Sequence, residues 1–226
     1  MQYGWVGPEQ RMKDMADYAR KGIARGRTMV GLTFADGVLL VAENHSRSLH
    51  KISEIYDRIA FAGVGKYNEF DQLRIAGIRA ADIRGFSFSR EDVDARSLAF
   101  SYAQMLGHVF TQEPKPLEVE ILVAEIGLSG DPDDDRLFHI LYDGTVMDEE
   151  NFSVLGGDAE TIATRMKEHY TPSASRRDAL KAATAALAGP DRTLGAKELE
   201  VAELHRGNGR RSFRRIEGDE LSALLT

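Results

Sequence analysis

Apolar residues follow two periodicities along the chain, and their alternation outlines a fold. From Pro8 they recur at helical spacing through Met12, Met15, Ala16, Ala19 and Ile23, which predicts a helix over 8–25. Proline suits the first helical position, where its missing N–H costs nothing, and Glu9 complements the positive end of the helix dipole. Ahead of it, residues 1–7 mix Tyr3, Trp5 and Val6 with Gly4 and Gly7, too short and flexible a run for an element, so a mobile terminal segment is expected. Two β-rich runs follow at 28–34 and 38–42, joined by Ala35-Asp36-Gly37, where the Asp-Gly step signals a hairpin. Further strands fit 51–56 and 58–64, the second ending at Gly63 and Gly65.

Helical spacing returns over 66–83 and 92–111, interrupted at 85–89, with Ser89 expected as the N-cap of the second helix. Strand signals resume at 117–126, 137–142, 145–147 and 152–155, and Asp143-Gly144 turns the middle pair. Gly156-Gly157-Asp158 opens a helix to Tyr170, a second helix covers 179–188, and strands at 198–204 and 212–216 precede a short terminal helix. Closely spaced strands pair antiparallel, and helices arriving in pairs must bury their apolar faces on a sheet. The economical arrangement is an α+β fold in four layers, αββα, with an extra N-terminal helix. No linker rich in Pro, Gly or Ser divides the 226 residues. One domain is therefore expected over 1–226, made of segment 1–7, helix 8–25 and a sandwich over 27–226.

Composition narrows the function. A 42% hydrophobic share, 29% charged residues and a mean hydropathy of −0.33 fit a water-soluble globular chain. No apolar window reaches the roughly 18 residues a membrane span needs, and no apolar signal segment opens the chain. With no cysteine, disulfides, thiolate metal sites and cysteine nucleophiles are excluded, and a cytoplasmic setting is expected. The 29 Lys and Arg against 36 Asp and Glu leave a net charge of −7, which disfavours nucleic acid as a partner.

Local motifs for chemistry are sparse. No Walker or dinucleotide glycine loop is present. The six histidines, at 45, 50, 108, 139, 169 and 205, never fall at zinc-site spacing, so neither metal nor cofactor is expected. Asp131-Pro-Asp-Asp-Asp135 begins like a calcium loop, but Arg136 stands where that loop needs glycine and Tyr142 where it needs glutamate. A solvated hairpin loop is expected instead. Gly156-Gly157-Asp158 reads as a tight turn rather than an anion site. Arg206, Arg210, Arg211, Arg214 and Arg215 read as a solvated or subunit-facing basic edge.

Several blocks together carry more than any one of them. Pro8-Glu-Gln-Arg-Met12, Gly22-Ile-Ala-Arg-Gly26, Thr28-Met-Val-Gly31, Asp36-Gly-Val-Leu-Leu-Val-Ala42, Phe61-Ala-Gly-Val-Gly65, Tyr142-Asp-Gly144 and Leu155-Gly-Gly157 occur in an order and spacing that resemble the 20S proteasome α-type subunits. The wording of 19–26, 48–58, 65–70 and 211–216 is closest to their actinobacterial branch. The chain departs from that family at Gly7, where serine is usual, at Gln10, where glycine is usual, and in lacking the Tyr-Asp-Arg tail signature. The resemblance implies an N-terminal-nucleophile αββα sandwich. It implies assembly as a heptameric ring beside neighbouring α subunits and on proteasome β-type subunits, in an α7β7β7α7 core, served by a hexameric AAA+ ATPase that delivers tagged proteins.

It also bears on catalysis. Catalytic β-type relatives use an N-terminal threonine, freed by cleavage after glycine, whose own amine is the base. Here Arg27 holds that place after Gly26, and a guanidinium offers no nucleophilic oxygen, so no catalytic residue is expected. Thr28, one step late, reads as an ordinary strand residue. Lys51 falls where the β-type catalytic lysine falls; the resemblance implies that in α rings it lines a pocket between neighbours that captures the activator's C-terminal carboxylate, with Gly65 and Lys66 alongside. The plainer alternative is an exposed strand lysine. Tyr3, Gly4, Trp5, Val6, Gly7 and Pro8 form the implied gate. A rival reading is a self-processing peptidase or amidase of the same fold, activated by exposing Thr28.

Overall fold

The computed structural model describes residues 7–46 and 48–226. In chain order, helix α1 (Pro8–Ile23) precedes strands β1 (Met29–Phe34), β2 (Gly37–Glu43), β3 (Ile52–Tyr56) and β4 (Ile59–Gly65), then helices α2 (Tyr67–Ser87) and α3 (Ala95–Gln112). Strands β5 (Val119–Glu125), β6 (Arg136–Ile140), β7 (Val146–Glu149) and β8 (Phe152–Leu155) come next, then α4 (Ala159–His169), α5 (Arg176–Ala188), β9 (Leu199–His205), β10 (Phe213–Ile216) and α6 (Gly218–Leu225).

The strands form two antiparallel sheets, ordered β10-β9-β2-β1-β8 and β3-β4-β5-β6-β7. The Asp36-Gly37 turn sets the β1–β2 register, from Phe34 opposite Gly37 to Met29 opposite Ala42. Every residue of β2 is buried, because Val38, Leu40 and Ala42 face the space between the sheets while Leu39 and Val41 face a helical layer. Leu180, Ala183 and Leu187 of α5, with Ile162 and Met166 of α4, cover that outer face. On the other sheet, Phe61, Ile121 and Val123 meet Leu73 of α2 and Leu98, Tyr102 and Leu106 of α3. The four-layer αββα arrangement expected from the pattern is the one observed. Gly77 lets α2 and α3 close together, since a Cβ there would lie 1.7 Å from the Tyr102 hydroxyl.

Helix α1 belongs to neither outer layer. Its apolar stripe puts Ala19 and Ile23 into the core between the sheets, so it stoppers one end of the sandwich. Among the described residues no helix is long and apolar enough to cross a membrane.

Two local expectations are corrected. Ser89 does not cap α3: it caps a single turn over Arg90–Asp92, and Asp94, accepting from the Ser97 N–H, caps the helix proper. Two capping residues in succession let the first make a separate turn. The Asp131–Asp135 segment is not wholly solvated, because Asp135 is buried and pairs with Arg206 at 2.6 Å. The arginine run, expected as a solvated or subunit-facing edge, is exposed at Arg210 and Arg211 and paired along its length. Arg215 reaches Glu200 at 2.9 Å, Arg214 reaches Glu203 and Glu220 at 2.8 Å, and Arg211 reaches Glu54 at 2.5 Å. A buried carboxylate such as Glu203 must find cations, and this run supplies them.

Candidate subunit-docking site

Lys51 immediately precedes β3, and its backbone is fixed from both sheets. Its carbonyl accepts from the Gly63 N–H at 3.0 Å, while its own N–H donates to Glu200 at 2.8 Å. Glu200, on β9, is buried and gathers further donors: the Asn44 amide at 2.8 Å, the Ile52 N–H at 3.1 Å and Arg215 at 2.9 Å. That collar of donors satisfies the buried Glu200 side chain and ties the start of β3 to the opposite sheet.

With the backbone held, the half-buried Lys51 side chain turns toward the link between α1 and β1, and its ammonium donates to the main-chain carbonyl of Arg27. Burial pulls the ammonium down to a pKa of about 8; Arg27 adds to that, while Glu200 and Glu43 partly offset it.

Arg27 sends its guanidinium the other way, to the buried carboxylate of Glu43 at the end of β2. Arg192 meets the same carboxylate through both terminal nitrogens, at 3.2 and 3.3 Å, and His45 lies 3.4 Å away. Burial works against the charge on Glu43, but the bonds from Arg192 and His45 and the positive field of Arg192 and Arg27 outweigh it, holding the carboxyl below its ordinary range. A cleft of about 700 Å³ runs beside this group, lined by Arg27, Thr28, Glu43, Asp158, Arg165 and Arg192 among others.

Thr28 is buried, and its carbonyl accepts from the Glu43 N–H at 3.2 Å. Gly156 closes over it, at φ +120°, where a Cβ would stand 3.0 Å from the Thr28 hydroxyl. The Thr28 nitrogen is an ordinary amide behind Arg27, so no free amine stands beside its hydroxyl.

Gly65 ends β4 at φ +109°, a conformation that suits glycine, and it abuts Gly26: a Cβ on Gly26 would lie 2.9 Å from the Gly65 nitrogen. Lys51, Arg27 and Gly65 thus converge around the end of α1. Lys66 follows as the N-cap position of α2, but its ammonium does not join them. It lies 3.3 Å from Glu69 and 3.9 Å from Glu118, a carboxylate pair that Lys115 also bridges at 2.9 Å to each. Gly7 caps α1 through its carbonyl, which accepts from the Arg11 N–H at 3.0 Å, and Pro8 is the first helical residue. Tyr3, Gly4, Trp5 and Val6 lie outside the described residues. Among the described residues no group of three or more His, Asp or Glu is placed to hold a metal ion.

Glu43, Arg192 and Glu200 were invisible to motif reading. The available signal was the anomaly of charged residues inside apolar strands, such as Glu200 and Glu203 in β9, since a buried charge predicts a partner without saying which.

A sequence model of the family described as proteasome subunit matches residues 23–204. The chain belongs to the proteasome subunit family. Its similarity to a proteasome subunit alpha of Acidimicrobium ferrooxidans is 61% identity over 221 residues, covering 98% of this chain and 94% of the relative. Proteasome subunits alpha of Sanguibacter keddieii and Thermobifida fusca are 54% and 53% identical, each over 98% of this chain and 88% and 89% of their own lengths. These relatives place the chain on the α-type, actinobacterial branch, in a family that works in protein degradation by assembly with other proteasome subunits.

Proposed function

We propose that this chain is a non-catalytic ring subunit of a cytoplasmic 20S proteasome core, gating substrate admission and docking the activating ATPase. The observation that carries the reading is the pairing of Arg27 with Lys51. At the place where β-type relatives present a nucleophilic threonine, this chain has a guanidinium committed to Glu43 and a carbonyl committed to Lys51. The fold is that of a hydrolase while the reacting atoms are absent, which favours scaffolding over chemistry. The chain assembles as a heptamer on β-type rings, in an α7β7β7α7 order. Lys51 and Gly65, on one side of α1, line the pocket between neighbours that receives a C-terminal carboxylate from the hexameric AAA+ ATPase. An ammonium in a half-buried setting is suited to that ligand, because a charge-assisted bond there is worth about 1.5–3 kcal/mol and a ring of such pockets multiplies it by avidity. Residues 1–7, anchored at Gly7 and Pro8, form the gate.

The test is co-production with a β-type subunit. The expected result is a particle whose peptide hydrolysis disappears when the threonine nucleophile of the β-type partner is replaced, and a chain that hydrolyses nothing by itself. Turnover by this chain alone, lost on Thr28→Ala, would overturn the assignment.

A further inference from the structure

The two sheets end in edges of opposite character. One flank carries β3 and β10, tied by the Arg215 side chain on the Ile52 carbonyl and the Ser212 N–H on the Asp57 carbonyl. The other carries β7 and β8, the last strands of their respective sheets. Four strand spacings of about 4.8 Å separate the two flanks, so they face away from each other.

The β3–β10 flank is basic at its surface. The side chains of Arg210 and Arg211 are 76% and 73% exposed; Arg210 is 3.8 Å from Asp57, and Arg211 leans on Glu54. The long Arg210–Asp57 contact holds little energy and leaves that guanidinium free to change partner. Arg211 grips Glu54 through Nε and Nη2 at 2.5–3.0 Å and keeps its other terminal nitrogen for a second carboxylate. The β7–β8 flank is acidic. Asp148, Glu149, Glu150 and Glu160 surround a cleft of about 660 Å³ in which Lys167 is the one cation. Among the described residues no Lys, Arg or His forms an ion pair with any of those four carboxylates, whereas Glu69, Glu118, Asp135, Glu200 and Glu203 elsewhere in the sandwich are each matched. At the floor of the cleft lies His139, 5% exposed, with Nδ1 3.2 Å from the Ser153 hydroxyl and a buried Nε2 that has no hydrogen-bond partner. Glu120 lies 3.5 Å from that nitrogen.

A cyclic assembly of one chain joins unlike faces head to tail, and closure requires each face to complement the other. We infer that the β7–β8 flank of one copy receives the Arg210–Arg211 flank of the next, so that the occupant of the acidic cleft is a second copy of this chain. The inference rests on the ring reading given above and adds the contact that orders the ring. It accounts for unpaired carboxylates on a surface whose opposite flank carries exposed arginines, and it puts β3, with Lys51 just before it, at the boundary between neighbours. Charge matching of this kind sets partner choice and orientation more than raw affinity, and it weakens with salt.

Reversal and counter-reversal test it. Glu149→Lys with Glu150→Lys is made in one variant, Arg210→Glu with Arg211→Glu in a second, and all four in a third, each co-produced with a β-type subunit and sized by analytical ultracentrifugation. Each two-site variant is expected to yield about tenfold less assembled particle, and the four-site variant to recover it, because every interface in a homomeric ring then carries the swapped pair. Circular dichroism of each chain confirms folding; a reversed chain that unfolds is replaced by its Glu→Gln or Arg→Gln counterpart, which removes charge alone and is expected to lower assembly in the same direction. Assembly unaffected by these substitutions, or a loss the four-site variant does not recover, overturns the contact while leaving the ring reading intact. A wild-type chain that forms no ring with its β-type partner overturns the ring reading itself.

Discussion

Lys51 and Arg27 meet through the backbone rather than through their charges: the lysine ammonium donates to the arginine carbonyl, while the arginine side chain turns away to Glu43. One of the three ammonium hydrogens is thereby used, and two remain for a ligand. A lysine held by a carbonyl is oriented without being neutralised, which is what the capture of a terminal carboxylate needs.

The titration of Lys51 makes that role measurable. Binding of a carboxylate needs the protonated amine, and burial has brought its pKa down to about 8. Docking should therefore be complete near pH 6.5, fall as pH rises through about 8, and be largely lost by about pH 9.5, whereas an undisturbed lysine would stay charged to about pH 10.4. The affinity of a peptide carrying the ATPase's C-terminal tail, measured across that range, checks the direction. Lys51→Ala should weaken docking by about 10-fold or more below pH 8 and flatten its pH dependence, with the particle still assembled. A flat pH profile, or full affinity in the alanine variant, would remove Lys51 from the pocket.

Thr28→Ala should leave the activity of the assembled particle unchanged. The hydroxyl is packed beneath Gly156 and no free amine adjoins it, so the substitution removes a buried oxygen and no chemistry. Peptide hydrolysis by particles containing wild-type and variant chains, compared at equal concentration, is the measurement. Any loss of kcat beyond that explained by reduced assembly would contradict it.

Deletion of residues 2–7 should raise hydrolysis of small peptides by the assembled particle without an activator. Pro8 begins α1, which stoppers one end of the sandwich, so a deletion ending at Gly7 removes the capping residue but leaves the helix and its buried Ala19 and Ile23 in place. Six extended residues span at most about 20 Å, a reach suited to a narrow axial opening shared by all copies. Equal rates for the intact and shortened particles would mean that this segment closes nothing.

How much of this was legible beforehand depended on the distance over which each feature is encoded. The β1–β2 hairpin was readable because Asp36-Gly37 states both the turn and the register within a few residues. The helical layers were readable because an amphipathic helix displays its period along its own length. The arginine run was readable as charge but not as contact: Arg211 and Glu54 are 157 positions apart, and only the stacking of the two sheets joins them. Glu43 and Arg192, separated by 149 positions, were hidden in the same way. Lys51 and Arg27 could be placed by counting within a family pattern, yet the carbonyl that links them belongs to the backbone, which no side-chain motif records.

Glu43 is the point at which that network should fail first. Its carboxylate is buried while Arg27 and Arg192 are each about half exposed, with side-chain exposures of 50% and 51%. The cations can turn to water if the acid is lost, so Glu43→Gln forfeits charge-assisted bonds without stranding two buried guanidinium groups, and a loss of about 2 kcal/mol is expected rather than the larger penalty of a broken buried pair. The sign with pH follows from a carboxyl whose folded pKa lies below its unfolded value. Its stabilisation is fully present above the ordinary carboxylate range and disappears as pH falls through the folded pKa, so wild type and Glu43→Gln should differ in stability at neutral pH and converge in acid. Urea unfolding of both chains at about pH 7 and again at about pH 3 checks this. A difference that persists undiminished in acid would mean that Glu43 acts by packing and not by charge.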